Sequence, residues 1–108
     1  MINRSYNGNT GTGNTLIIVD DDEMNRAILT HIFEPYYSIE EAVNGEQGLQ
    51  SILDTPERFC AILLDVRMPG MDGIQVLTCL REHGLLSLIP VFLITAEASD
   101  RIMERAYD

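Results

Sequence analysis

Asp20, Asp21 and Asp65 are the residues whose types and positions could do chemistry. Each follows a short apolar run. Leu16-Ile17-Ile18-Val19 leads into Asp20 and Asp21, and Ala61-Ile62-Leu63-Leu64 leads into Asp65. Both runs read as buried strands. If those strands are parallel neighbours, three carboxylates converge at one edge of a sheet. Their repulsion is tolerable there only with a bound cation or shared protons. A cation beside a carboxylate points to phosphate chemistry.

Strand and helix patterns alternate through the segments that would position these groups. Strands are predicted over 16–19, 38–42, 60–64 and 91–94. Helices are predicted over 23–34, 46–54 and 73–83, with a fourth running from Ser99 to Asp108. In the first helix Ala27, Ile28 and Ile32 are expected to face inward, with Arg26, Thr30 and His31 off that face. Leu49, Ile52 and Leu53 are the inward set of the second, and Ile74, Leu77 and Leu80 that of the third. Pro35, Thr55-Pro56 and Gly84 supply stops, Asn44-Gly45 a turn, and Asp72 an N-cap. Asp22 and Glu23 read as the start of the first helix rather than as ligands. Such alternation predicts an α/β domain with a parallel sheet covered on both faces. Ligands of open α/β sheets sit beyond the carboxyl ends of the strands, where Asp20, Asp21, Asp65 and Thr95 all fall.

The chain has 108 residues, enough for one domain with a core, and a net charge of -10 with a pI near 4.4. With no basic stripe, this segment is not expected to bind nucleic acid. No stretch reads as a membrane span or secretory signal, and a cytoplasmic location is the default. Cys60 and Cys79 lack metal-ligand spacing and read as buried thiols. His31 and His83 read as surface residues. Residues 1–14 are polar and aperiodic, a flexible tail preceding a domain over 15–108. Gly8, Gly11 and Gly13 lack the preceding strand and the Gly-Lys-Ser/Thr ending of a phosphate loop. No Ser/His/Asp arrangement stands out.

From Leu16 to Asp108 the chain resembles the receiver domain of two-component response regulators. The resemblance rests on Leu-Ile-Ile-Val-Asp-Asp-Asp at 16–22, Ala42-Val43-Asn44-Gly45, Leu64-Asp65-Val66-Arg67-Met68-Pro69-Gly70-Met71-Asp72-Gly73, and Ile94-Thr95-Ala96. It implies a flavodoxin-like doubly wound sheet of strand order 2-1-3-4, the family being itself an example of the ligand-site rule just used. It further implies that Asp65 accepts a phosphoryl group from a histidine kinase or phosphotransfer protein. Asp20 and Asp21 would hold Mg²⁺ with Asp65 and the backbone carbonyl of Arg67. Thr95 would be the switch hydroxyl, and the Ala96 N–H a phosphoryl contact. The side chains of Arg67 and Glu97 would tune phosphoryl lifetime. The implied protein is a phosphorylation-controlled switch more than a turnover enzyme, feeding an effector domain.

The chain departs from the family in lacking a fifth strand, a fifth helix and the lysine after that strand. A fragment of a longer chain is the favoured explanation, ahead of completion by a second copy as a dimer and of a true short module. Val91, Phe92 and Ile94 are then expected along an open sheet edge. Gly48 stands where the family usually has alanine and should cost the second helix about 1 kcal/mol. The alternative functional reading is a receiver-like interaction module that signals without phosphorylation. A small Mg²⁺-dependent phosphatase is a third, disfavoured because Asp65-Val66-Arg67 lacks the second aspartate of that class.

Overall fold

The computed structural model describes residues 13–94 and 104–105. The described elements run in the order β1 (Thr15–Val19), α1 (Glu23–Phe33), β2 (Ser38–Ala42), α2 (Gly45–Asp54), a 3-10 turn (Pro56–Arg58), β3 (Phe59–Asp65), α3 (Gly73–Glu82), β4 (Val91–Ile94) and β5 (Glu104–Arg105), the four strands β1–β4 and three α-helices being those expected. The first four strands lie parallel in the order β2-β1-β3-β4. The register sets Val19 beside Ala42 on one side and Leu64 on the other, and Asp65 beside Ile94. Successive strand residues point to opposite faces, so the central strands are apolar on both.

One face carries α2 and α3. Ile17, Val19, Ile62, Leu64 and Val91 pack there with Ile52, Val76 and Leu80. On the other, Leu16, Ile18 and Leu63 pack against Leu29 and Phe33 of α1, with Ile39, Ala61, Phe92 and Ile94 beside them. An apolar groove opens next to α1, with Phe33, Tyr37, Cys60 and Phe92 among its walls.

Side-chain caps fix where the helices begin. Asp22 accepts from the Met24 N–H at 2.9 Å, Asn44 from the Gln47 N–H at 2.7 Å, and Asp72 and Gln75 close a reciprocal capping box. Gly84, at φ +73°, follows the end of α3.

Four expectations need correction. The inward face of α1 is Arg26, Leu29 and Phe33, whereas Ala27, Ile28 and Ile32 are exposed. The helix carries adjacent apolar pairs, Ile28-Leu29 and Ile32-Phe33, and periodicity alone does not say which member of each pair faces the sheet. In α3 Gly73, Val76 and Leu80 are buried and Leu77 packs against the core, so Leu77 and Leu80 face inward as expected, whereas Ile74 points outward. Cys60 and Cys79 are half-buried; the Cys60 thiol donates to the Thr15 carbonyl at 3.4 Å. The helix expected from Ser99 falls mostly outside the described residues, but Glu104–Arg105 is a strand. It pairs antiparallel with β4 at Leu93 and Phe92, giving the backbone groups of that edge a partner. Val91 is buried, and Phe92 and Ile94 are half-buried.

Candidate functional site

Val19 and Leu64 are register partners in β1 and β3, so the residues that follow them emerge side by side. Asp20 is fully buried, Asp65 is 3% exposed, and Asp21 lies open to solvent. One carboxylate oxygen from each of the three lies within 4.8 Å of the others. Two oxygens on opposite sides of a Mg²⁺ ion stand about 4.2 Å apart. The cluster can therefore close on one small cation with minor adjustment.

Asp20 is held on several sides. Its N–H donates to the Ala42 carbonyl at 3.1 Å, and its own carbonyl accepts from Arg26 Nη1 at 2.8 Å. The Asp22 N–H donates to Asp20 Oδ1 at 2.9 Å. Asp20 Oδ2, although buried, faces no donor. An oxygen in that condition needs either a cation or a proton on the neighbouring Asp65 carboxyl.

Asp65 accepts a 3.3 Å hydrogen bond from the Arg67 N–H at Oδ1. Its pKa is nevertheless pushed up from 3.8 to about 7, first by burial and then by the negative charge of Asp20, with Asp21 adding to it. The single backbone donor is outweighed. Without a cation, the site therefore relieves its charge by keeping a proton.

The chain beyond Asp65 is tightly closed. Val66 donates to the Ile94 carbonyl and accepts from the Gly73 N–H, each at 3.0 Å. Gly73 sits so close that a Cβ there would lie 2.2 Å from the Asp65 carbonyl oxygen. This contact sets α3 directly against Asp65, and only glycine permits it. Val66, Arg67, Met68, Pro69 and Asp72 line a shallow depression beside it.

The structure thus brings together Asp20, Asp21 and Asp65, with Arg67 two residues beyond. Thr95, Ala96 and Glu97 lie outside the described residues. Sequence reasoning missed two contributors. Gly73 was legible as part of a motif but not as a close approach. Arg26 was assigned to the wrong face of its helix, and no spacing signal ties it to Asp20.

The family model described as response regulator receiver domain matches residues 16–108. The transcriptional regulatory protein SrrA of Staphylococcus aureus is 36% identical over 88 residues, which cover 81% of this chain and 34% of that protein. The chain thus spans about a third of the length of the curated relatives it matches. A solved CheX–CheY–BeF3–Mg²⁺ complex from Borrelia burgdorferi is similar with a TM-score of 0.70 and 29% identity, over 77% of this chain and 62% of the other. The N-terminal domain of a response regulator receiver protein from Methanoculleus marisnigri gives 0.69 and 31%, over 77% and 67%.

Proposed function

The chain belongs to the response regulator receiver family, and from that premise we propose that it takes a phosphoryl group onto Asp65 from a histidine kinase or phosphotransfer protein. Asp20, Asp21, Asp65 and the Arg67 carbonyl would hold Mg²⁺ beside the acceptor. The observation that carries this reading is a cluster of three carboxylates within 4.8 Å, one of them with a buried oxygen facing no donor. The donor set is all oxygen, which is what Mg²⁺ favours. A relative of 29% identity in complex with BeF3 and Mg²⁺ adds support.

When bound, Mg²⁺ supplies positive charge that offsets the repulsion between a carboxylate and an incoming phosphoryl group. The chain's own residues do the rest. Asp65 must shed its proton and present a carboxylate oxygen in line with the phosphorus. The oxygen–phosphorus bond forms as the phosphorus–nitrogen bond to the donor imidazole breaks. The departing nitrogen keeps the electron pair and is protonated. Asp20 is anchored through its own backbone next to that reaction, and Asp21 stands beside it open to solvent. The product is an acyl phosphate, which water cleaves to inorganic phosphate and free Asp65, so the state is timed. Thr95 is the proposed hydroxyl that responds to the added charge. Output through an effector domain in the natural protein, and a cytoplasmic setting, belong to the same proposal. Among the described residues no helix is long and apolar enough to cross a membrane.

The test is intact mass after incubation with Mg²⁺ and a small acyl-phosphate donor. One phosphoryl adduct is expected on the wild type and none on Asp65→Asn. Equal labelling of both, or none on the wild type, would overturn the assignment.

A further inference from the structure

Arg26 was expected off the inward face of α1, yet its side chain is only 12% exposed. Its guanidinium makes two directed contacts. Nη1 donates to the Asp20 carbonyl at 2.8 Å, and Nε donates to Glu41 Oε1 on β2 at 3.0 Å. Thr30 Oγ1, one turn further along α1, donates to the other oxygen of Glu41 at 3.1 Å. The neighbouring β2 residue Ala42 receives the Asp20 N–H. Both ends of the Asp20 residue are therefore tied to β2, one directly and one through Arg26.

We propose that Arg26 is a positioning residue for the cation site, acting through the backbone of Asp20. The inference rests on the functional reading above and deepens it. A carboxylate on a strand-to-helix turn is free to swing unless its backbone is fixed, and site geometry is commonly set by groups outside the ligand shell. Arginine suits the task because its planar fork serves two acceptors at once in fixed directions, which lysine cannot reproduce. Glu41 has a second role. A positive guanidinium next to a cation site would oppose the cation, and the Glu41 carboxylate offsets that charge while leaving the donor geometry intact.

Charge and geometry make opposite predictions, which allows a clean test. If Arg26 acted on the site only through its charge, Arg26→Gln would tighten Mg²⁺ binding and Arg26→Lys would leave it unchanged. Positioning requires both substitutions to weaken it, by about tenfold. The measurement is calorimetric titration with MgCl2 on the wild type, Arg26→Gln, Arg26→Lys and Glu41→Gln. It is paired with amide hydrogen exchange at Asp22 in the metal-free protein, because the Asp22 N–H caps Asp20 Oδ1. Faster exchange at Asp22 is expected in both Arg26 variants. Ile52→Val, a core change on the opposite face of the sheet, is the control for general destabilisation. It should lower the melting temperature without altering either readout. Glu41→Gln should fall between wild type and Arg26→Gln, and the double variant should be no worse than Arg26→Gln. Unchanged or tighter Mg²⁺ binding in Arg26→Gln would overturn the inference, as would equal effects in Ile52→Val. Absence of Mg²⁺ binding by the wild type would instead overturn the functional reading, and this inference with it.

Discussion

Asp65 holds the proton balance of the site. Burial and the adjacent carboxylates raise its pKa from 3.8 to about 7. The folded chain thus binds this proton more tightly than the unfolded chain does. In the metal-free protein its contribution to stability is fully present below pH 3.8 and declines as pH rises to about 7. A cation acts on the opposite form, since only the ionised carboxyl is a good ligand. The melting-temperature gain from Mg²⁺ is therefore expected to be small near about pH 5 and to grow through about pH 7. A fluorimetric melting series across that range, with and without Mg²⁺, checks it; a gain that shrinks with rising pH would contradict the account. Asp65→Asn removes a buried charge and places an amide beside the Asp20 carboxylate. Leaving a buried acceptor unpartnered costs about 1–3 kcal/mol. Metal-free Asp65→Asn should consequently melt several degrees above the wild type at neutral pH, with the difference vanishing in acid.

At the scale of elements, close helix-to-strand approach decides what is tolerated. A Cβ at Gly48 would stand 2.7 Å from Val19 Cγ2, in the fully buried strand that ends at Asp20. The sequence alone made this glycine a cost to α2 of about 1 kcal/mol. The packing reverses the sign, because inserting a methyl group into a filled core costs about 1–3 kcal/mol. Gly48→Ala should therefore lower stability in urea denaturation, and a more stable variant would show that Val19 yields easily. The two sides of α1 offer a second comparison. Ile28→Lys should change stability by less than about 0.5 kcal/mol, whereas Phe33→Ala should cost about 3 kcal/mol. These cases mark what the sequence could tell. Strand positions and the carboxylate cluster were legible because buried parallel strands leave continuous apolar runs, and their ends fix where the following aspartates emerge. The inward face of α1 was not, since two apolar stripes run side by side along it. The capping of α3 was readable from Asp72, whereas Asn44 read only as part of a turn and its capping of α2 is seen in the structure. Backbone proximities at Gly48 and Gly73 were not, because they depend on distances between elements that no local pattern encodes.

For the molecule as a whole, the net charge of -10 acts on every folded contact. Self-repulsion on that scale opposes the compact state and is screened by salt, with a Debye length of about 10 Å at 0.1 M. The acidic cluster adds a local term of a different kind. Its charges are buried or adjacent and lie well inside that screening length, so simple ions relieve them little. NaCl should therefore raise the melting temperature of the wild type and of Asp65→Asn by similar amounts, since the general field is nearly the same in both. MgCl2 at matched ionic strength should add a further rise in the wild type and much less in Asp65→Asn. Asp21→Asn should lose part of that rise while keeping the response to NaCl, because its exposed carboxylate contributes to the site but little to core packing. Equal melting curves in the two salts at matched ionic strength would mean that the divalent ion acts only on the diffuse field. The three carboxylates would then be an acid-sharing cluster held by protons, and the proposed phosphoryl acceptance by Asp65 would be without its cation.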